Sequence, residues 1–119
     1  MARFMLLIHS DDATQLSEEE GKALTEDYFT FTQKLVDAGA MLGGDPLHPF
    51  PTAKTVSKGG VVTDGPFADV TEHLGGYYMI EAGSIDDAVK WAAQLPGVER
   101  GIDRIEVREI RELGPEMAP

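Results

Sequence analysis

The side chains able to do chemistry are few and dispersed. Three histidines stand at positions 9, 48 and 73, and no two share the spacing of a metal-binding pair. His9 closes an apolar run beside Asp11 and Asp12, where a group that titrates near neutral pH could exchange protons. His48 lies between prolines and His73 follows Glu72; both read as surface residues. Asp64-Gly65-Pro66-Phe67 is the most idiosyncratic stretch. A carboxylate pinned at a tight turn can act as general base or acceptor, with Phe67 packing over a bound molecule. The same four residues also build a turn unaided: Asp accepts from amides two residues on, Gly takes the unusual φ and Pro stiffens the corner. Glu72, Tyr77 and Tyr78 are the polar groups that could reach this corner, while Tyr28 lies on the inward stripe of a helix, where a core role is the simpler one. The candidate site is therefore Asp64 and His9 as catalytic groups, with Tyr28, Phe67, Glu72 and Tyr78 as ligand contacts. No phosphate-binding loop, dinucleotide fingerprint, nucleophile elbow or zinc motif occurs, so neither cofactor nor metal is expected.

The charge balance narrows the partners. Against 21 acidic residues stand 10 basic ones, a net charge of −11 that repels phosphate backbones and anionic lipid alike. Direct nucleic-acid and membrane binding are disfavoured. The absence of cysteine removes disulfides and thiolate chemistry. Phe4-Met5-Leu6-Leu7-Ile8 is too short for a membrane span or a signal peptide core, and reads as a buried strand of a cytoplasmic protein.

The elements that must position these groups follow from local patterns. Apolar residues at both parities of 4–8 predict a strand covered on both faces. Ser17-Glu18-Glu19-Glu20 has the form of a capping box, and Leu24, Tyr28, Phe31, Leu35 and Ala38 trace one helical stripe ending at Gly39. Residues 40–42 suggest a short strand, and three prolines within 45–51 predict a loop. Residues 53–56 and 61–63 flank Ser57-Lys58-Gly59-Gly60 as a β-hairpin, residues 68–74 form a polar stretch, and 77–81 form a strand. Ser84 caps a second helix with Ile85, Ala88, Trp91, Ala92 and Leu95 inward, and Pro96 ends it. The last strand, 104–110, sets Ile105 and Val107 against Arg104, Glu106 and Arg108. Two prolines and no apolar period predict a frayed tail over 114–119, after a single domain over 1–113.

This order is the ferredoxin-like β-α-β-β-α-β plan of an α+β domain, with a hairpin inserted in its middle and two helices on one face of an antiparallel sheet. Helices cover only that face. The strands at 4–8 and 77–81 are apolar on the other as well, which predicts a homodimer packed sheet to sheet; a monomer with its insertion folded over the sheet is the alternative.

The run Thr63-Asp64-Gly65-Pro66-Phe67-Ala68, then Glu72, then Leu74-Gly75-Gly76-Tyr77-Tyr78-Met79-Ile80-Glu81 closely resembles the signature of DGPF-domain proteins in the YCII-related (YciI-like) family. Met5-Leu6-Leu7-Ile8 and residues 38–44 with Leu47 extend the resemblance over nearly the whole chain. It implies a dimeric α+β barrel. It also implies a pocket with a histidine from the first helix and an aspartate before a proline, but those positions here hold Tyr28 and Leu95. That acid/base pair does not carry over, and a site in this chain must use other groups. Such proteins are also similar to partners encoded beside extracytoplasmic-function sigma factors, so a sigma factor joins a small molecule among the expected partners. The leading expectation is a dimeric ligand-binding or regulatory module; the alternative is a cofactor-independent enzyme of proton-transfer or lyase type, with Asp64 as base and His9 or Tyr28 as its partner.

Overall fold

A computed structural model describes residues 1–11, 15–67 and 71–114. Most of the tail expected to fray, residues 115–119, lies outside the described residues, as do 12–14 and 68–70. Strand β1 (Ala2–Asp11) leads into helix α1 (Glu18–Asp37), followed by β2 (Met41–Pro46), β3 (Lys54–Ser57) and β4 (Val61–Asp64). Then come β5 (Glu72–Ala82), α2 (Ile85–Ala92), a short α3 (Pro96–Glu99) and β6 (Asp103–Glu109). Four strands form one antiparallel sheet in the order β2-β5-β1-β6, the ferredoxin-like arrangement, and β3 and β4 pair separately as a hairpin arm.

Local chemistry sets the helix ends. The Ser17 hydroxyl accepts from the Glu20 amide at 3.1 Å while the Glu20 carboxylate accepts from the Ser17 amide at 3.1 Å, so the capping box is complete. Gly39, with φ of 72°, provides the left-handed residue that stops α1. Inward side chains of α1 and α2 meet alternate residues of the sheet. Phe4, Leu6, Leu35, Ile80 and Leu95 are fully buried, and the Phe31 ring stands edge-on to Tyr78 at 5.4 Å and to Trp91 at 6.3 Å. Burying such a side chain contributes roughly 1.5–3 kcal/mol.

Several boundaries differ from the sequence reading, the first strand among them, which runs over Ala2–Asp11 instead of 4–8 alone. Strand β2 runs on through Asp45 and Pro46, because it is an edge strand and an edge residue can dispense with one ladder N–H. Strand β5 begins at Glu72, within the polar stretch that precedes the expected strand at 77–81, because β1 extends to Asp11 and pairs with it. Pro96 opens α3 instead of ending α2, which stops at Ala92; proline at a first helical position gives up only an amide that would lack a partner anyway.

The molecule is flat, 49 × 42 × 19 Å. Its radius of gyration of 16.0 Å exceeds the roughly 13.5 Å of a compact chain of this length. The arm accounts for part of this, since Val56, Val61 and Val62 on it are all more than half exposed. On the sheet face away from the helices, Met5 lies opposite Met79 and Leu7 opposite Tyr77, all half-buried, with the exposed charges of Arg104, Glu106 and Arg108 along the β6 margin. Among the described residues no helix is long and apolar enough to cross a membrane.

Candidate functional site

Strands β1 and β6 set Ser10 opposite Asp103. On β6 the inward parity is that of Ile105 and Val107, and Asp103 continues it, placing a carboxylate at an apolar position beneath α1. The Ser10 hydroxyl donates to Asp103 Oδ1 at 2.7 Å, and the Tyr28 hydroxyl, from α1, donates to Oδ2 at 3.1 Å. Further along, the Thr32 and Tyr78 hydroxyls share a hydrogen bond of 2.8 Å. These groups line one cleft of about 630 Å³ between α1 and the sheet, with Ile8, Leu24, Met41 and Ile102 supplying apolar wall. Leu16 and Phe29 belong to the same lining yet remain exposed, Phe29 at 74%. The volume falls in the usual range of a small-molecule site.

Electrostatics fixes the protonation of the phenols. Burial pushes the Tyr28 hydroxyl well above the ordinary tyrosine value, and the neighbouring Asp103 charge and hydrogen bond push the same way, against a smaller opposing effect of the Gly97 amide. Tyr78 is raised mainly by burial, with its Thr32 hydrogen bond opposing. Both phenols are neutral at pH 7, and Tyr28 donates its proton to Asp103. The cleft thus offers hydroxyls, one partly buried carboxylate and greasy walls, a combination that can orient a small molecule or pass a proton to one.

Of the residues singled out from sequence, Tyr28 and Tyr78 meet in this cleft, and Tyr77 also contributes to its lining beside Asp45. The others stand elsewhere. Asp64 ends β4 on the hairpin arm, 84% exposed and paired with Lys54 across the hairpin, and Phe67 is 90% exposed. The turn is held by Gly65 donating to the Ala53 carbonyl at 2.7 Å and accepting from the Thr55 hydroxyl at 2.8 Å, so its residues build the arm. Glu72 accepts from Arg104 Nε at 2.9 Å. His9 points away from the helices, its Nε2 3.5 Å from Glu106 Oε1, an ion-pair distance without hydrogen-bond geometry. His9 and Asp64 are thus separated from each other and from Tyr28. His48 and His73 share a smaller hollow of about 380 Å³ near the arm, where the His73 ring stacks on Phe50 at 3.7 Å. Among the described residues no cluster of histidine, aspartate or glutamate has the makings of a metal site.

Ser10 and Asp103 were missed by the sequence reading. The signal available was parity: an acid two residues before Ile105, on the face the strand turns inward.

A model of the YCII-related domain matches residues 2–113. This chain belongs to the YCII-related family. A relative from Rhizobium meliloti (strain 1021), an uncharacterized protein, is 29% identical over 121 residues, spanning 98% of both chains. Among solved structures, the fold is similar to 5-chloro-2-hydroxyhydroquinone dehydrochlorinase from Burkholderia phenoliruptrix AC1100, in complex with 2,5-dihydroxybenzoquinone. That likeness has a TM-score of 0.47 and 17% identity over 94% of this chain and 97% of the other. The fold of this YCII-related protein follows from its own strand order.

Proposed function

We propose that this YCII-related protein is a homodimeric small-ligand-binding module whose ligand lodges between α1 and the sheet. The cleft carries the reading: Tyr28, Ser10 and Asp103 converge by hydrogen bonds at a place that is otherwise apolar, where a solvated loop would scatter them. Dimerisation is supported by the Met5/Met79 and Leu7/Tyr77 pairs on the sheet face that the helices leave open. The test is a thermal-shift screen of a metabolite library against the native protein, Tyr28→Phe and Asp64→Asn. A compound that raises Tm, loses its shift in Tyr28→Phe and keeps it in Asp64→Asn is the expected result. A shift that follows Asp64 would move the site to the hairpin arm, and no shift with any compound would favour a protein partner such as a sigma factor.

A second reading, proton transfer in the same cleft, is favoured by the contact between a carboxylate and a neutral phenol at 3.1 Å. It predicts that a compound found in the screen exchanges a carbon-bound proton with deuterated solvent faster in the presence of native protein than of Asp103→Asn.

A further inference from the structure

Asp103 is a partly buried carboxylate held only by hydroxyls. Among the described residues no lysine, arginine or histidine pairs with it. The two arginines nearest in sequence are committed elsewhere: Arg100 pairs with Asp27 on the exposed side of α1, and Arg104, one residue on and so on the opposite sheet face, pairs with Glu72. Among the described residues, those lining the cleft include two further acids, Asp11 and Asp45, and no basic side chain. The chain as a whole carries −11.

From this arrangement we infer that the cleft selects an organic amine: a protonated amino head on Asp103 and an apolar body against Ile8, Leu24 and Met41. The inference rests on the ligand-binding reading above and names the class of ligand. A carboxylate offers about four acceptor positions, and Ser10 and Tyr28 use two, leaving room for an ammonium. A hydroxyl pair alone would hold a neutral ligand equally well; the uncompensated negative charge in a site of reduced dielectric is what discriminates. A carboxylate or phosphate ligand would meet that charge with no cation to offset it. At the cleft, the exposed Phe29 ring adds a face that attracts cations.

Three probes sharing one body separate the outcomes: tryptamine (cation), tryptophol (neutral) and indole-3-acetate (anion), titrated calorimetrically at neutral pH and low salt. Tryptamine is expected to bind at least about tenfold tighter than the acetate, with tryptophol between them. Asp103→Asn should remove the cation's advantage over tryptophol. Asp64→Asn deletes the same charge outside the cleft and should preserve that advantage, which separates a local effect from that of net charge. Should Asp103→Asn fail to fold, added salt provides the second measurement, weakening tryptamine and sparing tryptophol. Acetate binding as tightly as tryptamine would overturn the selectivity and leave the cleft a ligand site. A cation preference that survives both Asp103→Asn and salt would overturn the role of Asp103. No binding of any probe overturns the amine assignment, while the library screen decides the broader reading separately.

Discussion

The Asp103 carboxylate occupies the space a side chain on Gly97 would need: a Cβ at Gly97 would overlap Oδ2 and lie 2.9 Å from the Asp103 Cβ. Gly97 is buried in α3, so the short helix runs directly behind the partly buried Asp103 carboxylate, and its lack of a side chain is what admits that acid. Gly97→Ala is expected to cost about 1–3 kcal/mol in urea unfolding, the usual cost of overpacking. It should also displace Asp103 from Ser10 and Tyr28 and weaken ligand binding. Gly43→Ala is the control, since a Cβ there meets nothing within 4 Å. Equal stability of the two variants would refute the steric role of Gly97.

The three tyrosines give the protein a specific alkaline response. All have raised pKa values: Tyr28 and Tyr78 chiefly by burial, Tyr77 by its hydrogen bond to Asp45. A raised folded-state value means that the native protein holds the phenolic proton more tightly than the unfolded chain does. The associated stability is fully present below the ordinary tyrosine value near 10 and is lost as pH rises toward the raised ones. Phenolate absorbance should therefore lag behind free tyrosine and appear together with unfolding. Tyr28→Phe should flatten the alkaline decline while costing about 1–2 kcal/mol at pH 7, where it leaves Asp103 one donor short. Tyrosines titrating near pH 10 in a still-folded protein would contradict this.

Two kinds of information separate what was legible in the sequence from what was not. The Ser17-Glu20 box, the Gly39 stop and the arm glycines depend on neighbours within a few residues, and each stands where local chemistry put it. The sheet order follows from the succession of elements. The site does not, because Asp103 lies 75 residues from Tyr28 and 93 from Ser10, and only strand register and helix docking bring them together. Asp64 belongs to a local motif, and local motifs most readily encode turns. Its pairing with Lys54 on the arm reflects that. Strand ends were misjudged for a related reason: Pro46 and Glu72 look like loop residues until edge position and pairing partner are known.

The cap at α1 is separable from the site. Ser17→Ala should cost about 1 kcal/mol, in the range for loss of a serine N-cap. Glu20 is held below its ordinary value first by the Ser17 amide and then by the Ser17 hydroxyl. That contribution is present above the ordinary glutamate value and is lost as pH falls through the lowered one. The deficit of Ser17→Ala should accordingly shrink in acid, and chemical denaturation at neutral and acidic pH measures it. A deficit independent of pH would show that the carboxylate and the cap are not linked.

The open sheet face gives the sharpest test of assembly. Leu7 points away from the core formed by Phe4, Leu6 and Ile8, opposite Tyr77 on one neighbouring strand and Glu106 on the other. In an isologous sheet-to-sheet dimer a residue near the middle of this face is buried twice, once in each copy, so one substitution counts double. Leu7→Glu places two carboxylates in that interface while leaving the helix-covered core intact. The expected result in sedimentation is a dimer for the native protein at micromolar concentration and a folded monomer for Leu7→Glu, with unchanged far-ultraviolet dichroism. The charged margin at Arg104, Glu106 and Arg108 should set register more than affinity, so moderate salt is expected to leave the native dimer intact. A native protein that sediments as a monomer would mean that the half-buried Met5, Leu7, Tyr77 and Met79 are ordinary surface, and the second copy would drop out of the functional reading.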